Sequence, residues 1–381
     1  MAARLALAVA TGAASVLPGF LVGALALQIR SDLDVRVEAV AAGVSVFFLA
    51  GALGASWGGR LADHVGAVRA MRWCVLITAA CLLAGAALAE SLVVLLLLLA
   101  VAGVSNAVCQ PAINLFVSEQ IPADRQGLGF GIKQSGIPAA ILVSGLALPV
   151  LAIPLGWRTT FALCALGPLA IGVALRRERS GHVSRRPTSR RPSRALVLTA
   201  IGAALATAGP SALGAYLVAS AVDVGIGEGT AGLLAAVSSG LSLAVRVMLG
   251  ARADRRRDYG LSTVVGLLAV GSLGFALMAT DAVPTFVAGT VLAFTLGWGW
   301  PGLFNLAVVD SHRETPGSAS GISQTGIYVG AGGGPAAFGA LYAGAGHSAA
   351  WLVVAGTTLL AAVVIWLAAR AEQRIRAVSV R

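Results

Sequence analysis

Residues 131–137 read Gly-Ile-Lys-Gln-Ser-Gly-Ile and residues 321–327 read Gly-Ile-Ser-Gln-Thr-Gly-Ile, so one heptad returns after 190 positions in a chain of 381. Two further matches keep almost the same offset. Gly59-Arg-Leu-Ala-Asp63 returns as Gly250-Ala-Arg-Ala-Asp254, and Asn114-Leu-Phe-Val-Ser-Glu119 returns as Asn305-Leu-Ala-Val-Val-Asp310. Three echoes in one register make the chain two copies of one plan. The period is far too long for a solenoid, so the repeat describes two whole halves.

With 57% hydrophobic and 11% charged residues and a mean hydropathy of +0.87, the chain has too little polar surface to cover a water-soluble globule. Apolar stretches of about 20 residues, the length a helix needs to cross a bilayer core, are predicted at 5–29, 39–59, 73–90, 92–117, 127–153, 159–175, 195–219, 230–250, 261–280, 283–309, 319–343 and 350–369. The expected fold is an all-α membrane protein of twelve transmembrane helices, six in each of two pseudo-symmetric bundles. Its domains are 1–175, an Arg-rich, Pro-containing linker at 176–194, and 195–381 with a short tail. The first span has the look of a secretory signal, but it aligns with 196–220, an internal segment that cannot be a cleaved leader.

Charge orients the spans, because short cytoplasmic loops are enriched in Lys and Arg. Alternate loops carry Arg60, Arg69 and Arg72, then Arg125, the arginines of 176–194, Arg252 and Arg255 to Arg257, Arg313, and the tail Arg370, Arg374, Arg376 and Arg381; the other loops hold only Arg30, Arg36 and Arg158. Both termini are therefore expected to be cytoplasmic, in a multi-pass protein of the inner membrane. This topology accounts for the net charge of +11, and no module for reading bases is visible, so no nucleic-acid partner is expected. The four cysteines, Cys74, Cys81, Cys109 and Cys164, all fall inside spans and show neither metal-ligand nor disulfide spacing. No nucleophile and base constellation appears either, so neither an enzyme nor a cofactor is expected.

Twelve spans in paired halves, a basic central loop, and Gly59-Arg-Leu-Ala-Asp63-His-Val-Gly66 in the second-to-third connection together resemble the major facilitator superfamily of secondary transporters. That family's loop pattern, Gly-x-x-x-Asp-(Arg/Lys)-x-Gly followed by basic residues, is met at Gly59, Asp63 and Gly66. His64 replaces the basic residue, and Arg69 and Arg72 carry the later charge. The second copy keeps Gly250 and Asp254 but not the last Gly. Asp63 at a cytoplasmic helix end can accept from free backbone N–H groups at the start of the next helix and pair with arginine across the seam between halves, a latch; the resemblance implies that this latch holds the outward-facing state closed at the cytoplasmic side, with Glu119 and Asp310 as arginine partners. Arg246, eight residues before Asp254, is read as part of that second latch or as a cavity residue.

Polar side chains at membrane depth are costly and face a cavity or another helix. Asn106, Gln110 and Asn114 recur at i, i+4 and i+8 on one stripe of the fourth span. The resemblance implies that the first, fourth, seventh and tenth spans line the cavity, so this stripe is a candidate substrate wall. Its second-half counterparts are Gly297, Pro301 and Asn305, flanked by Trp298 and Trp300. Lys133, the one lysine among 27 Lys and Arg residues, lies about 10 Å into the fifth span at 1.5 Å per residue. It is either a recognition charge or a side chain that snorkels back to the headgroups. Gln134 recurs as Gln324 while Lys133 becomes Ser323, so the cation is an asymmetric addition to a symmetric frame; Tyr328 lies one turn beyond Gln324.

With the resemblance, these residues lead to the expectation of a secondary transporter moving a small solute, an organic anion or a polar metabolite, by alternating access; a monomer is expected. A coupling proton or ion would have Asp63, Glu119 and Asp310 as its titratable candidates. Two other readings stay open at this stage. One is an efflux antiporter of the same fold with an aromatic pocket of Trp298, Trp300 and Tyr328; the other is a membrane sensor or scaffold without transport, signalling through its loops.

Overall fold

Gly66, the last glycine of the 59–66 pattern, has φ 87° and turns the chain from the helix Val37–Val65 into the helix Ala67–Leu88. A side chain there would force a left-handed conformation that only glycine adopts freely, which is why the pattern ends on that residue. The computed structural model describes residues 1–35, 37–178, 193–256 and 260–379. All twelve predicted spans are helical, and no strand occurs among the described residues. Arg36, Arg257, Arg381 and most of the 176–194 linker lie outside those residues.

Ala2–Ala24, Val37–Val65, Ala67–Leu88 and Leu92–Gln120 cover the first four spans, and Arg194–Asp223, Glu228–Arg256 and Leu261–Met278 cover the seventh to ninth. The tight turn at Glu90 and Ser91 works because Ser91 caps the next helix, its hydroxyl accepting from the Val94 N–H at 3.4 Å. Ser193 does the same for the seventh span, accepting from Leu196 at 3.1 Å.

Other spans are broken. The fifth is built from Gln126–Lys133, Gly136–Ala147 and a π turn Leu148–Ala152. The tenth runs Val283–Leu292, a π turn Ala293–Gly297, then Pro301–Ser311. The last two spans form one helical run, Pro316–Ser379, turned at Gly346 with φ 81°. Gly156, 190 positions earlier, turns the chain into the sixth span with φ 80°, so the repeat extends to backbone conformation. Among the described residues, eight helices are individually long and apolar enough to cross a membrane, or nine if the bent pair Gly43–Ala55 and Trp57–Val65 counts as one span. Large apolar side chains face outward along them, Leu53 at 87% exposure among them, while Asn106 and Asn114 are wholly buried. That inversion suits a lipid solvent.

The chain forms two compact units by contact: Met1–Ala123, Lys133–Ser189 and Val309–Thr325 in one, Asp124–Ile132, Arg190–Val308 and Gly326–Arg381 in the other. Each unit thus includes a short segment from the opposite half of the sequence. The first is cored by Leu21, Phe47, Leu82, Leu99, Trp157 and Phe161. The second is cored by Leu213, Leu217, Phe275, Phe286, Phe338 and Trp351.

Small residues set the helix spacing where dispersion must do the packing. In the second unit Gly326, Gly330 and Gly334 meet the backbone of Ala200, Ala204 and Ala208 in turn. A Cβ added at Gly334 would lie 2.6 Å from the Ala208 Cα.

Candidate functional site

In the first unit the fourth span presents its stripe to the first. Ser15 donates to the Asn106 Oδ1 at 2.9 Å, and the Gln110 Nε2 donates to the Ser15 hydroxyl and to the Asn106 Oδ1, both at 3.4 Å. With its nitrogen so engaged, Gln110 turns its Oε1 the other way, where the Lys133 Nζ donates to it at 2.7 Å. Lys133 is 3% exposed, so its stem does not carry the ammonium out to a headgroup layer. No carboxylate lies within 4 Å of it among the described residues. Asn114, one turn further along, is fully buried, and neither polar atom of its amide meets a hydrogen-bond partner there. Gln134 and Gln324 are buried in the same unit.

The second unit holds another buried cation. The π turn Ala293–Gly297 and the non-helical stretch before Pro301 interrupt the tenth span and release backbone carbonyls from the helical ladder. Arg246 donates its Nε to one of these, the Trp298 carbonyl, at 3.0 Å, and its guanidinium lies 5.2 Å from the Trp298 ring centroid. Hydrogen bond and cation–π contact together hold a charge that has no carboxylate within 4 Å among the described residues. Asn305 and Tyr328 are buried in this unit. Trp300 is buried edge-on against Phe304, with ring centroids 5.2 Å apart.

The two carboxylates of the repeated Gly-x-x-x-Asp pattern are seated alike. Asp63 accepts the backbone N–H groups of Gly317 at 2.8 Å and Ser318 at 2.6 Å, and the Ser318 hydroxyl at 2.6 Å. Asp254 accepts those of Gly127 at 2.5 Å and Leu128 at 2.8 Å. Each receives the free N–H groups at the beginning of a helix, where negative charge is favoured. The glycine four residues before each Asp lets the helices close enough for this. A Cβ on Gly59 would lie 2.9 Å from the Gly321 Cα, and one on Gly250 2.9 Å from the Gly127 carbonyl carbon.

This corrects the expected partner of Asp63. The acceptor serves the helix Pro316–Ser379, 254 residues away, not the adjacent Ala67–Leu88, because Gly66 points the next helix away while Gly59 admits a distant one. No arginine lies within 4 Å of Asp63 among the described residues. Arg69 is exposed, Glu119 is half-buried, and Asp310 pairs with Arg313 at 2.8 Å at the surface. Ser15, Gly317, Ser318, Gly127 and Leu128 were not anticipated. A signal existed for four of them, since Gly127-Leu-Gly-Phe-Gly131 and Gly317-Ser-Ala-Ser-Gly321 extend the heptad repeat upstream in the same register.

The model of the Major Facilitator Superfamily matches twice, over residues 6–208 and 199–380. The chain belongs to that superfamily. A major facilitator chain of this kind is a transporter and not an enzyme, and the duplicated match coincides with the internal repeat. Similar solved structures include the human organic anion transporter MFSD10, at 14% identity over 95% of this chain and 97% of that one, with a TM-score of 0.73. The proton:xylose symporter XylE is 14% identical over 95% and 94%, with a TM-score of 0.74. The E. coli fucose:proton symporter FucP is 14% identical over 97% and 98%, with a TM-score of 0.73. At this identity the likeness speaks for the major facilitator fold alone. No curated protein sequence matches the chain.

Proposed function

We propose that this major facilitator chain is a secondary active transporter of the inner membrane that moves a small organic anion by alternating access. One observation carries the reading: among the described residues the cationic side chains buried in the helices, Lys133 and Arg246, have no carboxylate partner. A buried charge left without a counter-ion costs several kcal/mol or so, and a cargo anion would offset that cost. The Asn114 amide, with both polar atoms unused, supplies hydrogen-bonding capacity beside the same stripe. One of the similar structures is named an organic anion transporter, which is in keeping with such a cargo. Two others are named proton symporters, which makes a proton a reasonable coupling ion.

In this reading the halves 1–175 and 195–381 are the moving bodies, joined by 176–194, with both termini cytoplasmic as the arginine distribution favours. Gly59, Asp63, Gly250 and Asp254 form contacts that break and re-form during the cycle, with Gly66 turning the chain beside the first pair. An aromatic drug pocket has less support, since Trp300 packs on Phe304 and the Trp298 ring is engaged with Arg246.

The test is a thermal-shift screen of the purified protein against anions, cations and neutral solutes, repeated on Lys133→Ala. Ligands that bind the folded state raise its melting point. Anions should do so in the wild type and lose their effect in the variant; cation-selective stabilisation, or an unchanged anion response in Lys133→Ala, would remove the reading.

A further inference from the structure

We propose that Lys133 carries the coupling proton, so that one proton crosses with each monoanion and the step is electroneutral. The inference rests on the anion reading and adds what drives it. Among the described residues, buried Asp, Glu and His are absent from the spans, and Lys133 and Arg246 are the buried cations. A guanidinium keeps its proton under all physiological conditions, whereas a lysine amine gives its proton up readily when water and counter-ions are withdrawn. Cysteine or tyrosine could release a proton only by leaving a buried anion behind.

The surroundings of Lys133 suit both of its states. Gln110 is held with Oε1 toward Lys133, because its Nε2 is taken by Ser15 and Asn106. An ammonium donates to that oxygen with one N–H and has two left for a carboxylate or sulfonate. A neutral amine can make the same bond to Gln110 and keep its lone pair free, so the side chain does not have to move on losing charge. Cys109, a titratable thiol, adjoins Gln110 on the same helix. On that helix Glu119 lies nine residues beyond Gln110, and on the packed first helix Arg4 is engaged with Glu178 at 3.5 Å.

The cycle balances as follows. On the loading side the Lys133 lone pair takes a proton from water, and the resulting ammonium binds the anion. On the other side the anion departs, and the ammonium is left with one neutral dipole for a partner. Its N–H bond then breaks, the electron pair stays on nitrogen, and the proton follows the anion into water. Arg246 keeps its charge throughout and contributes nothing to the coupling.

The experiment uses the full-length protein in liposomes containing a pH-sensitive dye, with gluconate and methanesulfonate as probes and empty liposomes as control. Methanesulfonate stays ionised, so a proton arriving with it must ride on the protein. The wild type is expected to acidify the lumen by one proton per anion, and an inward acid gradient of one pH unit should accumulate the anion about tenfold. Glu119→Gln should keep the ratio of one, because that carboxyl is not the carrier. Lys133→Arg should slow exchange and move no protons with the flux that remains. Anion exchange without proton movement in the wild type, or a ratio that falls to zero in Glu119→Gln, overturns the inference alone. A wild type that exchanges neither probe overturns the anion reading and this inference together.

Discussion

Asp63 takes both the backbone N–H and the hydroxyl of Ser318 on a single carboxylate oxygen, each at 2.6 Å, while its other oxygen takes the Gly317 N–H at 2.8 Å. The three bonds are unequal in what their loss leaves behind. Ser318→Ala removes one donor and orphans nothing, so it should cost about 1 kcal/mol of stability. Asp63→Ala strands two N–H groups at a half-buried helix start and should cost about 2–4 kcal/mol. Thermal unfolding of the two variants in one detergent would show that order; equal losses would mean that the hydroxyl, not the helix start, anchors the contact.

The equivalent carboxyl in the second copy gives a pH signature. Burial pushes Asp254 up from the ordinary carboxylate value, against the lowering effect of the Leu128 and Gly127 N–H groups; Asp124 raises it further and Arg125 opposes. The folded state therefore holds this proton to a higher pH than the unfolded chain does. The associated stabilisation is complete below the unfolded value and is lost as pH rises through the folded one. The melting temperature of the wild type minus that of Asp254→Asn should accordingly fall as the pH rises above about 4, the ordinary carboxylate value. A difference that grows with pH would show that the helix start favours the anion more than burial disfavours it.

Much of this was legible in one sequence because a duplicated chain carries its own comparison. The Gly-x-x-x-Asp pattern at Gly59 and Gly250, the heptads at 131 and 321, and the Asn106 and Gln110 stripe are all side-chain signals at helical spacing. What stayed hidden involves backbone groups or the register between helices. The N–H groups of Gly317 and Ser318 leave no side-chain trace, so Asp63 was matched to its nearest helix in sequence. Ser15 has no distinguishing pattern, since its meeting with Asn106 depends on how far the first span slides along the fourth. The Trp298 carbonyl became an acceptor for Arg246 only because a π turn breaks the tenth span.

Two kinds of glycine should respond differently to the same substitution. Gly346 has φ 81° and nothing within 4 Å of an added Cβ, so Gly346→Ala meets backbone strain alone, about 1–3 kcal/mol. Gly59 has ordinary helical geometry but no room, its added Cβ colliding with the Gly317 carbonyl oxygen and lying 2.9 Å from the Gly321 Cα. Relief there requires two helices to separate. Gly59→Ala should cost about 1–3 kcal/mol and should also expose Asp63, which Gly346→Ala should not. Hydrogen exchange at Gly317 and Ser318 distinguishes them, rising in the first variant and unchanged in the second.

The Lys133 and Gln110 pair can be separated from its neighbours by a double-mutant cycle. Gln110→Leu deprives a buried ammonium of its acceptor and should destabilise the protein by about 2–3 kcal/mol. Lys133→Met alone leaves Gln110 Oε1 unbonded, a smaller loss, since a neutral acceptor is cheaper to orphan than a charge. With both changes the site holds two apolar side chains of fitting size, and stability should return to within about 1 kcal/mol of the wild type. The Gln110 bonds to Ser15 and Asn106 test the alternative directly. If Gln110 serves chiefly to hold those two groups, the double variant will be as unstable as the sum of the single ones, and the coupling between Lys133 and Gln110 will be near zero. A large coupling energy, together with loss of anion flux in both Lys133 variants, would make the pair a recognition unit and not a packing accident.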